Sequence, residues 1–191
     1  MNLGRLPFII AFSLALAACS SGGEATRFLG QAAVPAERIG IRYTSVSVRE
    51  VSLPSYAAAE FLVTETEDGR LVESPDTLWA DDQVRAVTLG LSQALRTITQ
   101  ARVAPDPWPF RSAPEATVDI RVNIFVARAN GTFIATGQYF VAPEDEEQPE
   151  RALGFSISVP YLVAGGYRAI AGAQSRAVTA LAEHVARYGL R

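Results

Sequence analysis

Apolar and polar positions alternate most regularly in residues 117–128. Val118, Ile120, Val122, Ile124 and Val126 share one parity, while Asp119, Arg121 and Asn123 take the other. A period of two sends the two sets to opposite faces of a strand, one against a core and one wetter. Asn130-Gly131 then predicts a type I′ hairpin, and residues 132–141 return. Leu153, Phe155, Ile157 and Val159 alternate again in residues 151–159, so a three-strand meander is expected. The connection at residues 143–150 carries Glu144, Asp145, Glu146, Glu147 and Glu150. It lacks the alternating ligands and the Gly of an EF-hand, and reads as a solvated hairpin loop.

Two stretches change to helical spacing. Val84, Val87, Leu91, Leu95 and Ile98 define an amphipathic helix from Asp81-Asp82 to about Gln100, with either aspartate as its N-cap. Gly90 inside it implies a close approach to the sheet. From Tyr161 or Leu162 to Tyr188 the chain reads as an Ala-rich helix, with a narrow stripe through Ile170, Ala173, Ala177, Leu181, Val185 and Tyr188 and a stop at Gly189. Upstream, residues 27–29 predict a short strand and residues 31–38 a loop. Residues 39–51 read as a strand whose parity changes between Tyr43 and Val46, the mark of a bulge or of burial on both sides. Pro54 ends it, residues 57–60 form a helical turn, and Asp68-Gly69 joins residues 61–66 to 70–73 as a hairpin. The expected fold is α+β: one domain, a mostly antiparallel sheet, two long helices packed on one face.

The first hydrophobic run has a different meaning. Residues 6–16 follow Arg5 and span about half the ~20 residues of a membrane helix, so they read as a secretory core segment. The run closes on Leu16-Ala17-Ala18-Cys19, which holds the only cysteine. These residues resemble a bacterial lipobox, which implies cleavage before Cys19, a diacylglyceryl group on its thiol and acylation of its amine. The alternative is an ordinary cleaved signal with a chance Cys. The chain then divides into a signal peptide (1–18), a lipidated tether (19–25) and one domain (26–191). Ser20, rather than Asp, follows the anchor, which favours the outer membrane.

Composition closes off much chemistry. The chain has no lysine, one histidine (His184), one cysteine and a net charge of −3. Walker-lysine, Schiff-base and multi-His zinc sites are excluded, and any Ser-His-Asp triad requires His184 on the last helix. The arginines are scattered singly, which argues against nucleic acid. Asp81 and Asp82 at a helix start read as capping rather than acid–base residues. No cofactor, metal or catalytic residue is expected. Pro105-Asp106-Pro107-Trp108-Pro109-Phe110 is a stiff aromatic loop. Trp108 and Phe110 either plug the edge of the core or present a surface to a partner.

The lipobox, the strand from Ile39, Leu53-Pro54-Ser55-Tyr56, Phe61-Leu62-Val63, Trp79-Ala80-Asp81 opening a helix, and an Ala-rich helix after a meander carry a resemblance in their order and spacing. Over nearly its whole mature length the chain resembles the ABC-type transport auxiliary lipoproteins, the PqiC-like family. Phe28 stands where the family often has Tyr. The resemblance implies a non-catalytic subunit of an MCE-type system that moves lipid between inner and outer membranes. Its periplasmic domain would be anchored in the outer membrane and would dock an MCE-domain protein, with homo-oligomers allowed. Tyr56, Trp108 and Phe110 are the candidate partner contacts, and Cys19 is the lipidation site. A stand-alone structural envelope lipoprotein, a periplasmic lipid-binding carrier and a carboxylate hydrolase are the competing readings.

Overall fold

The structure, a computed structural model, describes residues 25–30 and 38–191. The signal peptide, Cys19 and most of the loop expected at residues 31–38 lie outside the described residues. In chain order the elements are β1 (Thr26–Phe28), β2 (Ser45–Val48), β3 (Phe61–Glu65), β4 (Leu71–Trp79) and α1 (Gln83–Thr99). Then follow β5 (Arg102–Pro105), β6 (Ala116–Arg128), β7 (Thr132–Pro143), β8 (Arg151–Pro160) and α2 (Gly166–His184). A 3-10 turn, Val163–Gly165, precedes α2, and a π turn, Val185–Gly189, ends it.

The strongly alternating β6 is the spine of the sheet. One edge pairs antiparallel with β7 along its whole length, and β8 continues outward from β7. The other edge is shared. β2 lies parallel along its first residues and β3 parallel along its last, with β5 beyond β2 and β4 then β1 beyond β3. Four interfaces are parallel (β1–β4, β2–β5, β2–β6, β3–β6) and three antiparallel (β3–β4, β6–β7, β7–β8). The sheet is therefore mixed and not mostly antiparallel. Alternation reports which face of a strand is dry; it carries no information on the direction of the neighbouring strand.

The shared edge explains the parity change in residues 39–51. Only Ser45–Val48 is regular strand, and all four residues are buried. The chain stays beside β6 beyond that point, Arg49 N–H donating to Val118 O (2.9 Å) and Ser52 N–H to Ile120 O (3.0 Å). It then turns away, Ala57 and Ala58 N–H both donating to Pro54 O, before returning as β3. In the gap no strand covers β6. There the Tyr56 hydroxyl accepts the Phe125 N–H at 3.1 Å, standing in for a missing backbone carbonyl. Removing that oxygen strands a half-buried donor, which costs about 1–3 kcal/mol. Tyr56→Phe is thus expected to lower the urea midpoint with the slope unchanged; an unchanged midpoint would show that water replaces the hydroxyl without loss.

Both helices pack side by side on the sheet face formed by Val118, Ile120, Tyr139, Val141 and Phe155. Asp82 caps α1, its carboxylate accepting Arg85 N–H at 2.8 Å, and Leu91, Leu95 and Ile98 are fully buried as the spacing predicts. Several local expectations change. Gly90 faces α2, where an added Cβ would lie 3.6 Å from Val178, so it serves helix–helix rather than helix–sheet packing. Helix α2 begins at Gly166, and Tyr161 and Leu162 belong to the crossover before it. At Gly189 an added Cβ would come within 2.8 Å of the Tyr139 ring: the glycine is set by packing, not by a left-handed cap. Arg128 pairs with Thr132, so the β6–β7 hairpin has three loop residues, ending on Gly131 at φ +79°.

Candidate functional site

Strand directions give the domain two distinct ends. At one end lie the C-terminal ends of β3, β6 and β8 and the N-terminal ends of β4 and β7. β1 runs parallel to β4 but beside its C-terminal part, Thr26 pairing with Thr77 and Phe28 with Trp79, so the chain comes into β1 heading away from this end. The opposite end holds the N-terminus of β6, the C-terminus of β7 and the loops that follow. Glu144 N–H donates to Glu115 O there, which places the acidic 144–150 segment beside the aromatic loop before β6. Arg151 reaches across to Tyr188 O at 2.9 Å, bringing an exposed Tyr188 to the same end.

Trp108 and Phe110 sit in that loop and pack on one another, edge to face, with centroids 4.9 Å apart. The Trp108 indole N–H donates to Ser112 O at 2.6 Å, and the Arg102 guanidinium lies 5.2 Å from the Phe110 centroid. Neither ring belongs to the hydrophobic core. Phe110 is 44% exposed. The loop braces itself with its own carbonyl and a neighbouring cation, and leaves aromatic surface on display. Its base is tied by Ser47 Oγ–H to Asp106 (2.5 Å) and by Thr44, whose hydroxyl and N–H both donate to the Glu115 carboxylate at 2.6 Å. Those bonds, the hydroxyl's foremost, hold the Glu115 carboxyl below the usual carboxylate range.

The other predicted site residues divide. Tyr56 is half-buried mid-sheet with its hydroxyl engaged by β6, far along the chain and the sheet from the aromatic loop. Asp81 pairs with Arg85 while Asp82 caps α1, so both carboxylates serve the helix start. The acidic loop folds on itself, Asp145 accepting from Glu147 N–H and from the Gln148 side chain. His184 lies between two tyrosines, Nδ1 3.2 Å from the Tyr139 hydroxyl and its ring 4.7 Å from that of Tyr188. Burial pushes Tyr139 up to about 12, so it keeps its proton at neutral pH, and the imidazole tautomer sets which group donates across the pair.

Burial also lowers the His184 pKa below its ordinary 6.5. Between 6.5 and that lower value the unfolded chain binds a proton that the folded chain does not. Stability is then fully present above 6.5, falls as pH drops through this window, and levels off below it. Urea midpoints measured from about pH 7.5 to 5 are expected to show that fall, and His184→Gln to flatten it. An identical slope in the variant would assign the effect elsewhere.

A lipid-sized ligand needs a cavity of several hundred Å³. The crevice between the helices, lined by Gln83, Val87, Gly90, Gln174 and Val178, holds about 30 Å³, room for a water or two. The larger hollow, between β1 and α2, is an open groove with Arg27, Arg168 and Arg176 on its walls. Among the described residues no helix is long and apolar enough to cross a membrane.

The profile of ABC-type transport auxiliary lipoprotein components matches residues 29–186. No curated protein matches the chain significantly by sequence. Two crystal structures share the fold. One, of an uncharacterized protein, is 16% identical with a TM-score of 0.69, over 85% of this chain and 96% of the other. The second, a Xanthomonas campestris protein of the DUF330 family, is 15% identical with a TM-score of 0.63, over 87% of this chain and 95% of its own.

Proposed function

The chain belongs to the family of ABC-type transport auxiliary lipoprotein components, and from that premise we propose that it is a lipid-anchored docking subunit of an MCE-type system. Lipidation at Cys19 holds the domain in a thin layer on the periplasmic face of the outer membrane. Confinement raises its effective concentration for a partner that crosses the periplasm, without any new contact. The domain contributes position, and its chemistry is recognition rather than turnover. The system it serves moves lipid between the two membranes.

One observation carries this reading: the chain runs into β1 heading from the hairpin end of β3 and β4, whereas Trp108 and Phe110 are displayed at the other end of the sheet. A domain tethered at one end offers its partner the other. The self-braced aromatic loop there is rigid, partly apolar and flanked by carboxylates, the composition of a recognition surface. The tight helix crevice speaks against a carrier that encloses lipid.

The test is photo-crosslinking in intact cells from a photoreactive residue at position 110. Capture of an MCE-domain protein, identified by mass spectrometry, is expected. Capture only of envelope proteins unrelated to transport would favour the stand-alone structural lipoprotein.

A further inference from the structure

We propose that the end of the domain at which the chain enters rests on the phospholipid surface itself, with Leu162 and Val163 as its apolar contact. This rests on the anchoring of Cys19 proposed above and adds a second attachment to it. The tether, Cys19 to Ala25, has seven residues. Fully extended it spans at most about 25 Å, and as a flexible chain about 15 Å. The end of the sheet reached through Thr26 is therefore held within roughly a domain radius of the acyl chains.

That end displays apolar side chains beside the charged β3–β4 hairpin. Leu162 is 74% exposed and Val163 58%, and Leu71, Val72 and Tyr167 are exposed beside the same ends of the strands. Single exposed leucines mean little, but a group gathered at one end points to an interaction site. The backbone presenting Leu162 and Val163 is pinned. Tyr161 N–H donates to Gly131 O (2.7 Å), the Tyr161 hydroxyl to Arg128 O (2.6 Å), and Gly165 N–H to Leu162 O (2.9 Å). Farther on, the Tyr167 and Ser74 hydroxyls share a hydrogen bond at 2.8 Å. The crossover is thus stapled to the sheet while its two largest apolar side chains face outward. Nothing in the fold requires them there.

The layout fits a flat occupant. Val163 lies against Gly131 in the β6–β7 turn, where an added Cβ would be 3.2 Å from its Cγ2, whereas Leu71 opens β4. Three strand spacings separate β4 from β7 at this end, about 14 Å. Apolar groups spread along that line match a planar interface into which side chains dip by several ångströms. Tyr167 supplies the amphipathic ring favoured at such a boundary. Of the carboxylates at this end, Asp68 pairs with Arg70 at 2.7 Å and Glu65 with Arg128 at 3.2 Å, Glu67 and Glu73 are exposed on the hairpin, and the 144–150 acids lie at the far end.

The test uses the full lipidated chain in vesicles of phosphatidylethanolamine and phosphatidylglycerol containing doxyl-labelled lipid. Leu162→Cys and, separately, Phe110→Cys are labelled with an environment-sensitive fluorophore; acylated Cys19 does not react. The probe at 162 is expected to be blue-shifted and quenched at least twofold more than the probe at 110. Equal, water-like emission at both sites on an acylated chain overturns the inference and leaves the anchoring intact. An unmodified Cys19 thiol, seen by mass spectrometry, overturns both. Efficient disulfide or bismaleimide dimers through Leu162→Cys would make the face a contact between copies and likewise overturn it. Leu162→Glu with Val163→Glu, both exposed, should fold normally; vesicle-bound protein carrying them and a label at Tyr167→Cys is expected to lose the quenching seen there without them.

Discussion

Cys19→Ser is expected to move the protein out of the membrane fraction almost completely. Two or three acyl chains provide attachment that one chain does not, because each buried CH₂ contributes about 0.8 kcal/mol. Serine keeps the size of the side chain and removes the sulfur that carries the glyceride. Among the described residues no helix reaches the length and apolarity of a membrane span. The two exposed apolar residues at the tethered end are far too little surface to retain the domain alone. Fractionation should therefore find the variant released or retained as uncleaved precursor, and transport lost with it. A variant that stays on the membrane in processed form would mean that protein contacts, not lipid, hold the domain in place.

Gly137→Ala is expected to destabilise the fold by about 3 kcal/mol or more, at the upper end of what overpacking costs. Gly137 pairs with Val122 where β6 slips register against β7. An added Cβ would stand 2.2 Å from Arg121 O and 2.9 Å from both Val122 Cα and the Phe155 ring. Two of those atoms are backbone of the central strand, which cannot yield as a flexible side chain would. For a domain of this length such a loss lowers Tm by about 6–12 °C. A thermal melt within a degree or two of the parent would show that β6 relaxes at its bulge. The same melt on Gly40→Ala, where an added Cβ meets nothing within 4 Å, is the control.

The parts of the fold legible in the sequence are those with one dry face. β7, β8 and the first half of β6 alternate because helices cover one side and solvent the other, and α1 shows its stripe for the same reason. Beyond Val122 the bulge reverses β6, so that Phe125 and Ala127, not the expected Ile124 and Val126, join the core. β2 carries no such pattern because all four of its residues are buried. β5 is four residues long, separated from α1 by only two residues, and too short to display a period. The second strand of the Asp68-Gly69 hairpin was expected over residues 70–73, yet β4 continues through Pro75 to Trp79. β1 reaches only to Thr77, and the register with β3 jumps from Ser74 to Leu78, so no partner asks Pro75 for an N–H. Parallel pairing stayed hidden because it depends on where chain ends return, as with β2 and β3 lying in succession along a single edge.

The site divides along the same line. The expectation at Cys19 rests on its sequence flanks alone, and the residue lies outside the described part of the chain. Trp108 and Phe110 were visible as aromatic residues among prolines, but only the hydrogen bond to Ser112 and the cover of Arg102 show them braced at the surface. Tyr56 stood out within its motif, and its hydroxyl turns out to complete the sheet. Leu162 and Val163 read as the opening of an apolar helix; only the geometry separates them from α2 and places them at the tethered end.

The account stands or falls on what the sulfur of one residue carries. Intact-mass and peptide mass spectrometry of the mature protein, extracted from the membranes of its own cells, reads this directly. The predicted result is an N-terminal Cys19 bearing a thioether-linked diacylglyceryl group and an acylated amine. A mature chain with a free thiol at Cys19, recovered from the soluble periplasmic fraction, would contradict it.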